Sequence, residues 1–251
     1  TISLMRMLSG EFIIKPINFE DLRATMEKTL SFVAQIKQSL SSARENSILR
    51  MYVNPSIVHY LQQDQVQANR RIHATVMFVD ICGFTGLAEH LEPDAIARLL
   101  NTYFDEIARE ALAHNGTIDK FIGDAAMVVF EKDMHQVDAV ETAFGIVRRI
   151  NEWRTRELEA GHAYPDIRIG INTGDMVSGN FGSASLKRLD YTVIGDTVNT
   201  ASRLESVAKA GQILVSPQVK AALEGRYRTE DVGEMSLKNK SQPVRVFRII
   251  T

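Results

Sequence analysis

The sequence predicts an α+β domain of ferredoxin-like kind, β-α-β-β-α-β with additions, preceded by an N-terminal helical, coiled-coil-like extension. Three observations carry this. An apolar run, Ala74–Asp80, ends on a carboxylate and turns at Gly83, as a buried strand does when it hands over to a loop. Two stretches with one apolar face at helical spacing, Ile96–Leu112 and Val137–Glu157, flank a pair of short β-prone runs. Those runs, Thr117–Ile122 and Ala125–Phe130, are separated only by Gly123-Asp124, a hairpin signature.

Composition sets outer limits. In 251 residues, 45% hydrophobic and 24% charged, there is material for one large core plus an appendage. A net charge of −2 and a pI near 6.3 give no bulk case for nucleic-acid binding. The single Cys82 excludes an internal disulfide and a cysteine-based zinc site, so a reducing cytoplasmic compartment is the simplest expectation. No apolar run approaches the roughly 20 residues of a membrane helix, and the N-terminus lacks a signal-peptide layout. The chain starts without Met, which points to a processed or excised chain.

Residues 1–18 hold a short β-prone run, Phe12–Ile14, then Lys15-Pro16. Asn18 is placed to cap a helix whose first turn carries Glu20 and Asp21. This stretch resembles the end of a bacterial response-regulator receiver, without the phosphoacceptor strands, and the resemblance implies an upstream sensor or receiver module. Through residues 19–71, Phe19, Leu22, Met26, Val33, Ile36, Leu40 and Ala43 keep a spacing of three and four, with Thr29 in the gap. That seam predicts a signalling helix able to pair two copies in parallel. Asn54-Pro55 interrupts it, a short helix begins at Ile57, and Gln62–Arg71 reads as linker.

The globular domain is expected over 72–251. After the first strand, Glu92-Pro93-Asp94 starts a helix whose inward face is Ile96, Leu99, Leu100, Tyr103, Phe104, Ile107 and Leu112, ending at Asn115-Gly116. The second helix turns Val140, Phe144, Val147, Ile150 and Trp153 inward. Ile167–Ile171 is a strand, and Gly174, Gly179 and Gly182 punctuate the stretch beyond it. Asp196–Lys209 reads as a helix, and Ile213–Val215 and Val244–Ile250 as strands.

Two acidic turns stand out: Asp80 after the first strand, and Asp124 at the hairpin tip. In this topology the first strand lies beside the hairpin, so both carboxylates converge at one end of the sheet. Like charges about 4 Å apart repel by roughly 4 kcal/mol at an effective dielectric near 20, and a cation or a shared proton relieves the pair. Hard oxygen donors next to a glycine-opened turn suit Mg²⁺ or Mn²⁺. Taken singly, each aspartate reads as a solvated turn residue.

The ordered motifs decide between these readings. Phe78-Val79-Asp80-Ile81-Cys82-Gly83-Phe84-Thr85, Asp119-Lys120-Phe121-Ile122-Gly123-Asp124, Arg168-Ile169-Gly170-Ile171-Asn172-Thr173-Gly174, Tyr191–Arg203 and Leu237-Lys238-Asn239-Lys240 occur in that order. Together they resemble the catalytic domain of class III nucleotidyl cyclases across nearly all of Ile72–Thr251. The resemblance implies that Asp80, Asp124 and the Ile81 carbonyl hold two divalent metal ions. It implies that the amides of Gly83, Phe84 and Thr85, with Arg168 and Lys238, hold the triphosphate. Asn199 and Arg203, four residues apart and so on one helix face, would orient the ribose and stabilise the transition state.

Lys120 and Thr192 match the positions that read the base. In the family a Lys with an Asp or Thr there accompanies adenine, whereas guanylyl cyclases carry Glu and Cys. The resemblance therefore implies an adenylyl cyclase acting on ATP, near the Thr-type subgroup that includes bicarbonate-responsive enzymes. It also implies a homodimer with two shared sites, the metal aspartates and Arg168 from one copy facing Lys120, Thr192, Asn199, Arg203 and Lys238 of the other. Alternatives are a guanylyl cyclase or a catalytically silent dimeric regulatory domain of the same fold. A diguanylate cyclase is disfavoured because Ile122-Gly123-Asp124-Ala125 lacks its Gly-Gly-acidic-acidic turn.

Overall fold

The computed structural model describes residues 69–162, 164–183, 188–237 and 242–250, together with 23, 27, 28 and 31. The chain divides into two units, Thr1–Gln65 and Val66–Thr251. In the first, Arg23, Glu27, Lys28 and Ser31 are helical and exposed, and Arg23 Nε donates to Glu27 Oε1 at 2.9 Å. The expected Phe12–Ile14 strand, the receiver-like turn, the heptad seam and the Ile57 helix lie outside the described residues.

The second unit is an α+β domain whose described elements run β1 (Arg70–Ile81), α1 (Phe84–Ala88), α2 (Pro93–Ala113), β2 (Thr117–Ile122), β3 (Ala125–Phe130), α3 (His135–Glu159), β4 (Ile167–Ser183), β5 (Arg188–Ile194), α4 (Asp196–Val207), β6 (Ile213–Val215), α5 (Pro217–Ala222), β7 (Thr229–Met235) and β8 (Val244–Ile249). The sheet order is β2-β3-β1-β4-β6-β8-β7, with β5 paired to β4 beside this path. β2-β3-β1-β4 is the order a β-α-β-β-α-β unit requires. β4 and β6 run parallel, and β1 is antiparallel to both its neighbours.

The strand alternation of β1 and β4 separates two layers. Met77, Val79 and Ile81 with Ile167, Ile169 and Ile171 pack beneath α2 and α3, against Tyr103, Ile107, Val140, Ile146 and Ile150. The even-numbered set, Ala74, Val76 and Phe78, packs on the opposite face with Met127, Met176, Val193 and Ala201 of α4. Asp80 and Arg168 belong by parity to that second face. The register pairs Asp80 with Arg168 across β1–β4 and with Ala125 across β1–β3.

Two expectations need correction. Leu112 is 72% exposed, and Ala111 takes the inward place. Ala111 lies four residues after Ile107, one helical turn, and Leu112 lies one step beyond it. The glycines after Ile171 do not break the strand, which continues to Ser183. A Cβ on Gly174 would stand 2.8 Å from Thr197 Oγ1, and one on Gly179 would stand 2.0 Å from Asn69 Oδ1. These glycines admit neighbours to an unbroken strand. β5, α5 and β7 had no expectation in the sequence.

Candidate active site

β1 delivers Asp80 to the C-terminal end of a central strand, and Gly83 reverses the chain with φ 68°, a left-handed value that glycine adopts without strain. α1 begins immediately, so the amides of Phe84 and Thr85 fall in a first helical turn that has no intrahelical acceptors. Cys82 N donates to the Asp166 carbonyl at 2.8 Å and ties the turn to the start of β4. The β2–β3 hairpin brings Asp124 beside this turn, because Ala125 pairs with Asp80. Gly123, at φ 62°, makes that tip.

Asp124 senses the neighbouring Asp80. Burial first, and the Asp80 charge second, push the Asp124 carboxyl above its ordinary value. Asp80 is held by Arg168, whose Nε and Nη2 donate to Oδ2 at 2.9 and 2.6 Å. Arg168 Nη1 also donates to the Ser206 carbonyl at 3.3 Å, and its Nε lies 2.7 Å from Glu205 Oε1. Burial and then the Asp80 charge raise the Glu205 carboxyl. Three carboxyl groups thus crowd one guanidinium, an electrostatic setting that a further cation relieves. The donor set is hard oxygen: two aspartates and the Ile81 carbonyl fit Mg²⁺ or Mn²⁺ better than a softer ion. Among the described residues no group of three or more His, Cys, Asp or Glu side chains is placed for a metal.

α4 carries the next pair of residues. Asn172 Nδ2 donates to the Thr197 carbonyl at 2.9 Å, and Thr197 Oγ1 donates to the Asp175 carbonyl at 2.8 Å, fixing the N-terminal turn. Midway, α4 rests directly on β4: a Cβ on Gly170 would stand 2.1 Å from Glu205 N and 2.5 Å from the Ala201 carbonyl. With Ala201, Leu204 and Glu205 turned inward, Asn199 is exposed and Arg203 half-buried. Among the described residues neither side chain has a hydrogen-bond or ionic partner. Arg203 precedes Glu205 by two residues, a rotation of roughly 200° about the helix axis. It therefore points away from the Asp80 of its own chain.

The two residues expected to read the base, Lys120 and Thr192, also converge. Thr192, on β5, is 8% exposed and donates its hydroxyl to Asp119 Oδ2 at 2.7 Å. Lys120 Nζ lies 3.6 Å from the same oxygen. Burial raises the Asp119 carboxyl, while the Thr192 hydroxyl and Lys120 ammonium favour its charged form. Lys238 lies outside the described residues. Asp80, Ile81, Asp124, Arg168 and the Gly83-Phe84-Thr85 turn thus form one group, and Lys120 and Thr192 another, with Asn199 and Arg203 presented by α4. Asp119 and Glu205 were missed. Asp119 stands in the same motif as Lys120, and its signal was a carboxylate next to a cation within a strand.

A model of the adenylate and guanylate cyclase catalytic domain matches residues 66–250, and the chain belongs to that family. Adenylate cyclase 1 of Rhizobium meliloti is 31% identical over 186 residues, covering 72% of this chain and 28% of that protein. The chain thus spans about a third of the length of the curated relatives it matches. The crystal structure of the adenylyl cyclase CyaB from P. aeruginosa superposes with a TM-score of 0.69 at 38% identity, covering 74% of this chain and 97% of that one. That of the guanylyl cyclase Cya2 gives a TM-score of 0.66 at 30% identity, covering 73% and 94%. Relatives of both base preferences share the fold, so overall likeness does not choose the nucleotide.

Proposed function

We propose that the domain is an adenylyl cyclase that converts ATP to 3′,5′-cyclic AMP and pyrophosphate. The observation that carries the choice of ATP is the sharing of one carboxylate, Asp119, by Lys120 and Thr192. This holds a donor and a hydroxyl side by side for a purine edge. Lys120 would donate to adenine N1, and the Thr192 oxygen would accept from the exocyclic amine.

In this reading the ribose 3′-oxygen attacks the α-phosphorus, a new O3′–Pα bond forms, and the bond to the β-phosphate oxygen breaks. Asp80, Asp124 and the Ile81 carbonyl would hold two divalent ions. Those ions, when bound, neutralise phosphate charge and acidify the 3′-hydroxyl. The chain's own part is positioning and electrostatics, which dominate phosphoryl transfer. The amides of Gly83, Phe84 and Thr85 would cradle the terminal phosphates, with Arg168 and Lys238 as cationic partners. Arg168 donates to Asp80 through two nitrogens, and from that position its guanidinium would turn toward phosphate. Asn199 would orient the ribose, and Arg203 would meet the charge that grows on the α-phosphate.

The site is composite in this reading, one copy supplying Asp80, Asp124 and Arg168 and a second supplying Lys120, Thr192, Asn199, Arg203 and Lys238. Support comes from the turn of Arg203 away from its own Asp80. Ile122 and Ile194 add to it: they are 51% and 45% exposed and lie two strand positions from Lys120 and Thr192, hence on their faces. A homodimer with a two-fold axis then holds two such sites. No helix among the described residues is long and apolar enough to cross a membrane, and the sole cysteine is free, which fits a cytoplasmic signalling role beneath an upstream sensor.

A product assay tests this. The purified chain with Mg²⁺ or Mn²⁺ is expected to release cyclic AMP from ATP, to prefer ATP to GTP in kcat/KM, and to fall silent on chelation. A dimer that yields no cyclic nucleotide from either substrate would sink the enzyme reading. Preference for GTP would replace it with a guanylyl cyclase.

A further inference from the structure

Asp119 stands where the preference between purines is decided, although it is not itself placed to touch the base. Its side chain is 7% exposed, and it meets both residues assigned to the base edge: the Thr192 hydroxyl at 2.7 Å and the Lys120 ammonium at 3.6 Å. A carboxylate so enclosed is costly unless donors satisfy it, and here the two donors are themselves the proposed readers of the substrate. We propose that Asp119 is a positioning residue that sets the ATP preference by taking the only proton of the Thr192 hydroxyl.

Donor and acceptor counting gives the reason. A threonine hydroxyl has one proton and two lone pairs, and an ionised carboxylate only accepts. With its proton spent on Asp119, Thr192 Oγ1 faces a ligand as an acceptor alone. Lys120 is a donor alone. Acceptor beside donor matches adenine, which offers an amine next to an unprotonated N1. Guanine offers a carbonyl oxygen next to a protonated N1, so both of its groups meet their own kind. Without the carboxylate the hydroxyl rotates freely, donates to a guanine O6 as readily as it accepts from an amine, and loses its power to discriminate. Burying an unmatched polar pair is what makes such a site reject the wrong ligand.

This role for Asp119 rests on the ATP reading, and the experiment separates the two. Steady-state kcat/KM for ATP and for GTP is measured on the wild-type chain, Asp119→Asn, Thr192→Val and the double variant. The carboxamide introduced by Asp119→Asn can donate to the threonine oxygen and so turn the hydroxyl proton toward the ligand. The ratio of ATP to GTP efficiency is expected to fall at least about tenfold in Asp119→Asn, partly through a gain on GTP. In the Thr192→Val background, where no hydroxyl remains, the same change should alter the ratio less than about twofold. Asp119→Ala, which removes the acceptor without adding a donor, should give a smaller fall in the same direction, and it stands in if Asp119→Asn does not accumulate folded. An equal loss on both nucleotides, or an unchanged shift in the Thr192→Val background, would overturn the role of Asp119 while leaving the cyclase reading intact. A wild-type chain that cyclises neither nucleotide removes the parent reading, and this inference with it.

Discussion

Arg203 is the residue whose role separates a catalytic from a purely structural account of α4. Half-buried, and with no side-chain partner among the described residues, it contributes little that folding would miss. Arg203→Ala should therefore leave the thermal midpoint within about 2 °C, since unconnected surface changes are small. It should lower kcat by about 10³-fold with KM little changed, the pattern of an interaction made only in the transition state. Tyr103 is the opposite kind of residue. It is fully buried, its hydroxyl donates to the Pro165 carbonyl, and its ring meets Trp153 edge-on at 5.3 Å. Burial pushes its phenol above the ordinary value. A raised folded-state value means the stabilisation is fully present below the unfolded pKa of about 10 and is lost as pH climbs toward the folded one. Tyr103→Phe should cost about 1 kcal/mol at neutral pH by leaving the Pro165 carbonyl unpaired. It should also flatten the alkaline limb of stability, measured by urea unfolding across that range.

At the scale of elements, the contact of α4 with β4 governs how the site is presented. Gly170 has no room for a Cβ, because the atoms it would meet are backbone atoms of α4. Gly170→Ala must push the helix off the sheet, and is expected to cost at least about 2 kcal/mol as an overpacking change. Asn199, Arg203 and the Arg168–Glu205 contact move with the helix, so activity should fall further than stability alone explains; matched urea unfolding and kinetics at low temperature check this. The elements most legible in the sequence were those whose period survives burial. β1, the hairpin and α2 carry alternation or a 3.6-residue stripe, with Asn115-Gly116 and Gly123-Asp124 as stops. The far half of β4 was hidden because its glycines look like turn residues. They are there so that Asn69 and Thr197 can approach, a long-range need that local pattern does not register. β7, with Glu230, Asp231 and Glu234 exposed, has too little apolar alternation to announce itself.

At the scale of the whole molecule, two carboxylates converging across β1 and β3 followed from topology once the hairpin was read. Which neighbours claim them did not. Arg168 reaches Asp80 across paired strands, and Asp119 joins β2 to β5 through Thr192, contacts between residues 88 and 73 positions apart. Such pairings depend on how the sheet closes rather than on any short motif. The composite arrangement is the largest inference of this scale, because it assigns the two halves of each site to different copies of the chain.

Mixing two inactive variants tests it. Asp80→Ala removes one half of the site and Arg203→Ala the other, and each alone should make less than about 1% of the wild-type cyclic AMP. In an equimolar, exchanged mixture half of the dimers are mixed, and each of those holds one intact site and one doubly defective site. The recovered rate should be about one quarter of wild type. Heterodimers demonstrated by differential tagging, with no recovery above the separate variants, would contradict a site shared between two copies.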